Sequence, residues 1–164
     1  MLTADELLGE LEKEAPVTRR VLERIPEEHL LWRPHQKSMT LGQLGLHIAA
    51  LPGAVAEMAM RSPCPAVSVP RPQPTSCMEI LSTFDESVTR AGKLLAALNE
   101  SQLSATWRLM GGNREIVAVL RRDLLRSIML NHLYHHRGRL TVYLRQVGAF
   151  VPTVYGSSAD DNPF

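Results

Sequence analysis

Apolar residues recur along this chain at steps of three and four, the spacing of one face of a helix, over several long stretches. Thr3 and Glu6 have the T-x-x-E spacing of a capping box ahead of Leu7, Leu8, Leu11, Val17, Val21 and Leu22, which predicts a first helix over residues 4–24, bent near Pro16. Thr40 and Gln43 repeat the device before Leu41, Leu44, Ile48, Leu51, Val55 and Met58, predicting a second helix to residue 61 with a kink at Pro52. Ser76 and Glu79 open a third, carrying Ile80, Leu81, Phe84, Val88, Leu94, Leu95 and Leu98. From residue 120 to 147 the pattern is helical again and stops at Gly148, a natural residue after a helix end; such a helix is roughly 40 Å long.

Between the second and third helices, PCPAVSVPRPQP lacks so many N–H donors that neither a helix nor a central strand can form, so a long crossover or lid is expected. The β-branched run after Gly111-Gly112-Asn113 predicts a small hairpin before the last helix. The fold expected is all-α: a four-helix bundle with a long Pro-rich crossover and one hairpin, a single domain over residues 1–164 with residues 152–164 as a tail along the bundle.

Chemistry-bearing residues concentrate in the histidines. His47 lies three residues after Leu44 and four before Leu51, on the apolar stripe of the second helix. His132 and His136 are four apart on the last helix, so their rings lie within about 40° of one another and can converge. His135 falls at the margin of that stripe, and His29 and His35 sit in the polar loop IPEEHLLWRPHQK. Spacing leaves two readings open: hydrogen-bonded core histidines, or three neutral imidazoles holding a metal with coordination positions to spare. No carboxylate stands at a helical step from the three on their face, so no general base is evident.

Composition narrows the setting without choosing the chemistry. Hydrophobic residues make up 45% and charged residues 21% of 164, an ordinary folded domain, and a net charge of +1 gives no global field for nucleic acid. Arg121, Arg122, Arg126, Arg137, Arg139 and Arg145 scatter around the last helix and read as a solvated surface. The first fifteen residues carry acidic groups where a targeting peptide needs basic ones, and no apolar run reaches the ~20 residues of a membrane span, so a cytoplasmic protein is expected. Cys64 and Cys77 form no C-x-x-C pair and are read as reduced thiols, with a fourth metal ligand as the alternative if the lid folds over the site.

Three segments together resemble one family. LLWRPHQKSMTLGQLGLHIAALPG, NHLYHHRGRLTVYLRQVG and the ending VPTVYG are similar to the Trp-Arg-Pro loop and first-histidine helix, the H-x2-HHRGQL-x2-YLR signature and the C-terminal segment of the DinB/YfiT-like superfamily of metal-binding four-helix bundles. Arg139 departs from the signature, standing where that family usually has Gln. The resemblance runs from about residue 2 to 161 and implies a divalent metal, nickel or zinc first, iron or manganese as further choices, on His47, His132 and His136.

For function, the resemblance implies a metal-dependent enzyme on small molecules, first of all S-transfer with a low-molecular-weight thiol as cosubstrate. The alternatives are a metal-dependent hydrolase, or a non-catalytic metal-binding or interaction bundle in stress response with the PxxP segment docking a partner. Trp32, Arg33 and His135 are candidates to face the substrate; against this, Trp32 can plug the bundle end and Arg33 form a surface ion pair. Relatives imply a homodimer, with Tyr134, opposite the histidine face, as an exposed ring for a second copy to cover. No nucleic-acid or membrane partner is expected.

Overall fold

A computed structural model describes residues 2–162. Helix α1, Ala4–Leu22, begins as expected: Thr3 Oγ1 accepts from the Glu6 N–H at 3.2 Å, and the Glu6 carboxylate accepts from the Thr3 N–H at 2.8 Å. It continues through Pro16 and ends two residues early, burying Leu7, Leu11, Val21 and Leu22. Helix α2, Leu41–Ala59, has the reciprocal Thr40–Gln43 box and runs through Pro52. Beside that proline, which brings no N–H, Ser87 Oγ accepts from the Gly53 N–H at 2.8 Å and donates to the Ala50 carbonyl at 3.1 Å. A side chain at Gly53 would lie 3.0 Å from Ser87 atoms, so glycine is what lets the two helices meet there. Helix α3, Cys77–Ala96, is capped by Ser76, but its box is only half built: Glu79 turns its carboxylate to the N–H and hydroxyl of Thr75.

The last helical run departs most from the expected pattern. It consists of α5, Arg121–Leu124, a π-helical stretch over Leu125–Asn131, and α6, His132–Gln146, ending with Gly148 at φ +73°. A short α4, Glu100–Ser104, precedes it. Widened turns of the π type are frequent at functional sites, and this one ends where His132 begins. Helix α3 lies between α1 and α2, while α6 closes the other side against both, so consecutive helices α1 and α2 are not the main neighbours. Leu7, Leu44, Ile48, Ile80, Phe84, Leu133 and Leu140 fill the space between them.

The molecule is mostly helical as expected, and beside the helices stands a small three-stranded sheet, one strand more than the expected hairpin. The predicted hairpin is present as β2, Thr106–Gly111, and β3, Arg114–Leu120, with Gly112 at φ +62° in its turn. The unexpected strand is β1, Cys64–Pro65, parallel to β2 at the sheet edge, where a proline removes no ladder bond that a central strand would need. Trp107 anchors the sheet, buried and donating its indole N–H to the Met58 carbonyl at 3.1 Å.

The Pro-rich connection from α2 to α3 is accordingly pinned down rather than free. Thr40 Oγ1 donates to Gln73 Oε1 at 2.7 Å, Gln73 Nε2 donates to the Leu30 carbonyl at 3.1 Å, and Gln43 Nε2 donates to the Arg71 carbonyl at 2.8 Å. Residues 151–161 are also fastened: Asp160 and Asp161 accept from the N–H groups of Val151 and Thr153, and Arg145 pairs with Asp160. No helix among the described residues is long and apolar enough to cross a membrane.

Candidate metal centre

His47, His132 and His136 come together where α2 faces α6. Each offers one ring nitrogen, and the three nitrogens lie within 4.8 Å of one another. The ring centroids of His47 stand 5.5 Å from His132 and 4.5 Å from His136, and the last two face each other through their Nε2 atoms at 2.5 Å. His136 is buried; His47 and His132 are half-buried, so the cluster sits at the rim of the core rather than inside it. His47, on the apolar stripe of α2, faces the two α6 rings and an adjoining cavity.

The electrostatics suit a cation. Burial pushes His136 down to about 3, reinforced by repulsion from His47, His132, Arg139 and His135. Burial likewise lowers His47, with help from His132, Arg71 and Arg139, and lowers His132, with help from His135. All three are thereby held in the neutral form that ligates metal. His136 Nδ1 is buried without a hydrogen-bond partner, an unsatisfied group beside three converging nitrogens. Three neutral imidazoles crowded this closely fit a divalent cation.

A pH dependence follows. Unfolded histidine titrates near 6.5, whereas His136 in the fold stays neutral down to about 3. In that window the unfolded chain binds more protons, so stability rises with pH: metal-free protein loses stability as pH falls from about 6.5 toward 3. Urea denaturation of metal-free protein at pH 7.5 and 5.0 should show the loss, and His136→Gln should make it smaller; an unchanged pH dependence in that variant contradicts the assignment.

The remaining candidates take other places. His135 is exposed, its ring 5.0 Å from that of His136. His29 and His35 lie outside the three-histidine group; His35 Nδ1 accepts from the Lys37 N–H at 3.1 Å. Trp32 packs edge-on against Tyr143 with centroids 5.6 Å apart, and the Trp32 carbonyl accepts from the Leu41 N–H at the start of α2. Arg33 is exposed and donates to the Gln36 carbonyl at 3.4 Å; the expected surface ion pair is not formed among the described residues. Neither Trp32, Arg33 nor His135 lines the cavity beside the cluster.

Cys64 and Cys77 lie outside the three-histidine group, and Cys77, its Sγ 3.1 Å from the Ile25 carbonyl, has its thiol pushed up to about 11 by burial and nearby glutamates. The fourth-ligand alternative is therefore not supported. Tyr134 is also corrected: it is half-buried, donates to Glu10 at 2.6 Å and lies under the Arg137 guanidinium, so it presents no bare aromatic face to a second copy.

Two features were not visible in the sequence. One is a cavity of about 510 Å³ reached by His47 and His132, floored by α2 and walled by residues 69–72 of the Pro-rich connection. The other is the fate of the arginines. Arg122 and Arg137 are buried, and Arg137 pairs with Glu14 at 2.7 Å, donates to Thr18 at 3.0 Å and to the Tyr155 hydroxyl, and stacks on Tyr134 and Tyr155. The solvated-face reading was wrong for both.

A mostly helical bundle with three histidines gathered between two of its helices and an adjoining cavity defines a class of helical proteins with a candidate metal site. The chain belongs to the DinB family, whose pattern it matches over residues 1–162. It is 26% identical to the uncharacterised protein YrdA of Bacillus subtilis strain 168, the match covering 97% of this chain and 92% of YrdA. A DinB-like protein from Bacillus cereus ATCC 10987 shares its fold with a TM-score of 0.74 at 24% identity, over 92% of this chain and 97% of the other. YfiT of Bacillus subtilis, described as a probable metal-dependent hydrolase with an unusual four-helix bundle topology, matches with a TM-score of 0.65 at 17% identity, over 88% of this chain and 87% of YfiT.

Proposed function

We propose that this protein is a metal-dependent enzyme acting on small molecules, with His47, His132 and His136 holding a divalent cation, zinc or nickel, and thiol-dependent S-transfer as its reaction. The observation that supports this most is the joining of the three-nitrogen cluster to the cavity: His47 and His132 belong to both, while His136 closes the buried side. A divalent metal held by His47, His132 and His136 would supply a Lewis acid able to lower the pKa of a thiol brought to it from the cavity. That route asks for no carboxylate base, in keeping with a cavity whose lining contains no Asp or Glu among the described residues. The chain's own part is to keep three imidazoles neutral through burial and to offer an apolar wall, from Leu46 to Met58, that excludes water from the reacting groups.

Metal-dependent hydrolysis is the second reading, favoured by the fold shared with YfiT, described as a probable metal-dependent hydrolase.

Elemental analysis of protein purified without added metal should find a divalent metal. In a cobalt- or nickel-loaded sample, added cysteine should bring up intense sulfur charge-transfer bands that titrate with thiol, strengthen as pH rises, and are missing in His47→Ala. Cleavage of an ester or amide by the metal-loaded protein, with a spectrum indifferent to thiols, decides for hydrolysis.

A further inference from the structure

The cavity has two ends of different character. Residues of α2 line it from Gln43 to Met58, roughly 22 Å of helix axis at 1.5 Å per residue. Gln43 and His47 belong to the first end; beyond His47, every α2 residue that lines the cavity is apolar, through Ala54 and Val55 to Met58. Arg71 also lines it, from the Pro-rich connection opposite, and its guanidinium is paired with no carboxylate among the described residues.

Arg71 does not hang from a loose loop. Its carbonyl is gripped by Gln43 Nε2 at 2.8 Å, and the same Gln43 is itself held by its Oε1 accepting from the Thr40 N–H at 3.1 Å. The next anchor, Gln73, is tied to Thr40 and to the Leu30 carbonyl. The first two turns of α2 thus carry His47 and, through the Gln43 side chain, also hold the backbone from which Arg71 reaches the cavity. An exposed guanidinium carried on an anchored stretch of backbone and without a protein anion, at the polar end of a long apolar channel, is complementary to a molecule with a carboxylate at one end and a hydrocarbon body at the other.

Resting on the reading of the histidines as the reactive centre, we propose that the cavity selects carboxylate amphiphiles, with the carboxylate on Arg71 beside the histidines and a slender apolar chain lying along α2 toward Met58. The chain gains by leaving water, about fourfold in affinity per buried methylene. Arg71 decides which end enters first, and so keeps the functional groups near the carboxylate close to His47 and His132.

Calorimetric titration of the full-length protein as purified, with metal content measured on the same sample, tests this. Hexanoate, octanoate and decanoate should bind with affinity rising about 16-fold at each two-methylene step, and decylamine should bind more weakly than decanoate. Arg71→Gln should weaken decanoate at least tenfold while leaving 1-decanol unchanged, and Ala54→Trp, at an exposed position on the cavity floor, should weaken both. Decanoate indifferent to Arg71→Gln in metal-bearing protein overturns the proposal and leaves the metal reading standing. Arg71-dependent binding in protein that carries and takes up no metal keeps the proposal and overturns the metal reading. An Ala54→Trp variant that binds both probes normally removes the channel itself.

Discussion

His136→Ala is expected to lose its metal: affinity should fall more than about 100-fold, beyond the 10- to 100-fold typical of losing a partner that merely orients a ligand. His136 is the buried member of the three, its nitrogen cannot be replaced by water at no cost to the cluster, and the two rings left behind are half-exposed. His47→Ala and His132→Ala should lose metal comparably, because three nitrogens within 4.8 Å act together. His29→Ala and His35→Ala should retain it. His135→Ala is the sharper control, since its ring stands only 5.0 Å from that of His136 yet points from an exposed position. Metal content after dialysis against a chelator, with circular dichroism to confirm folding, reads the series. A loss in His135→Ala that matches His136→Ala would falsify the assignment of the three ligands.

Arg137→Met should unfold the protein more readily than any change at the metal cluster, by about 3 to 5 kcal/mol and roughly 6 to 20 °C in Tm for a chain of this length. The Arg137 side chain is 2% exposed and that of Glu14 16%, so removing the guanidinium strands a carboxylate with little access to water. Thr18 and the Tyr155 hydroxyl lose a donor in the same step, and the ring contacts that fasten residues near the chain end to α1 and α6 go with it. Thermal melting with and without metal separates this effect from the site, since the loss should be present in both. Arg137→Met combined with Glu14→Leu should recover much of the stability, because no charge is then left unpaired in the bundle. Equal stability of wild type and Arg137→Met would show the pair to be worth no more than a surface bridge.

Local rules carried far in this chain where the physics is local. Thr3 with Glu6 and Thr40 with Gln43 cap the helices their spacing predicts, because both partners of each box lie within one turn. At Ser76 the same spacing fails by one residue, since Glu79 reaches Thr75 instead, a competition between two nearby donors that spacing does not rank. His132 and His136 share a face because four residues make about one turn, and that holds within α6 whatever precedes it. Extending the α-helical angle back to residue 120 fails, because the stretch from Leu125 to Asn131 winds more widely.

Other features depend on residues distant in the chain. Nothing in Cys64-Pro65 reads as a strand until β2 offers its edge, and nothing in Arg137 reads as buried until α1 brings Glu14 and Thr18 against it. Charge alone was a poor guide, since Arg137 leaves water where the Glu14 carboxylate of α1 and the rings of Tyr134 and Tyr155 meet it.

By itself the sequence determined where the first three long helices start and which histidines could share a face, since each depends on contacts within one or two turns of backbone. Only the tertiary structure decided that His47 meets His132 and His136, that Gln43 reaches across to the carbonyl of Arg71, and that a cavity opens between α2 and the Pro-rich connection. Those contacts join residues 28 to 89 positions apart, and which of the many such pairings forms is settled by packing the whole apolar surface at once, which no local spacing encodes.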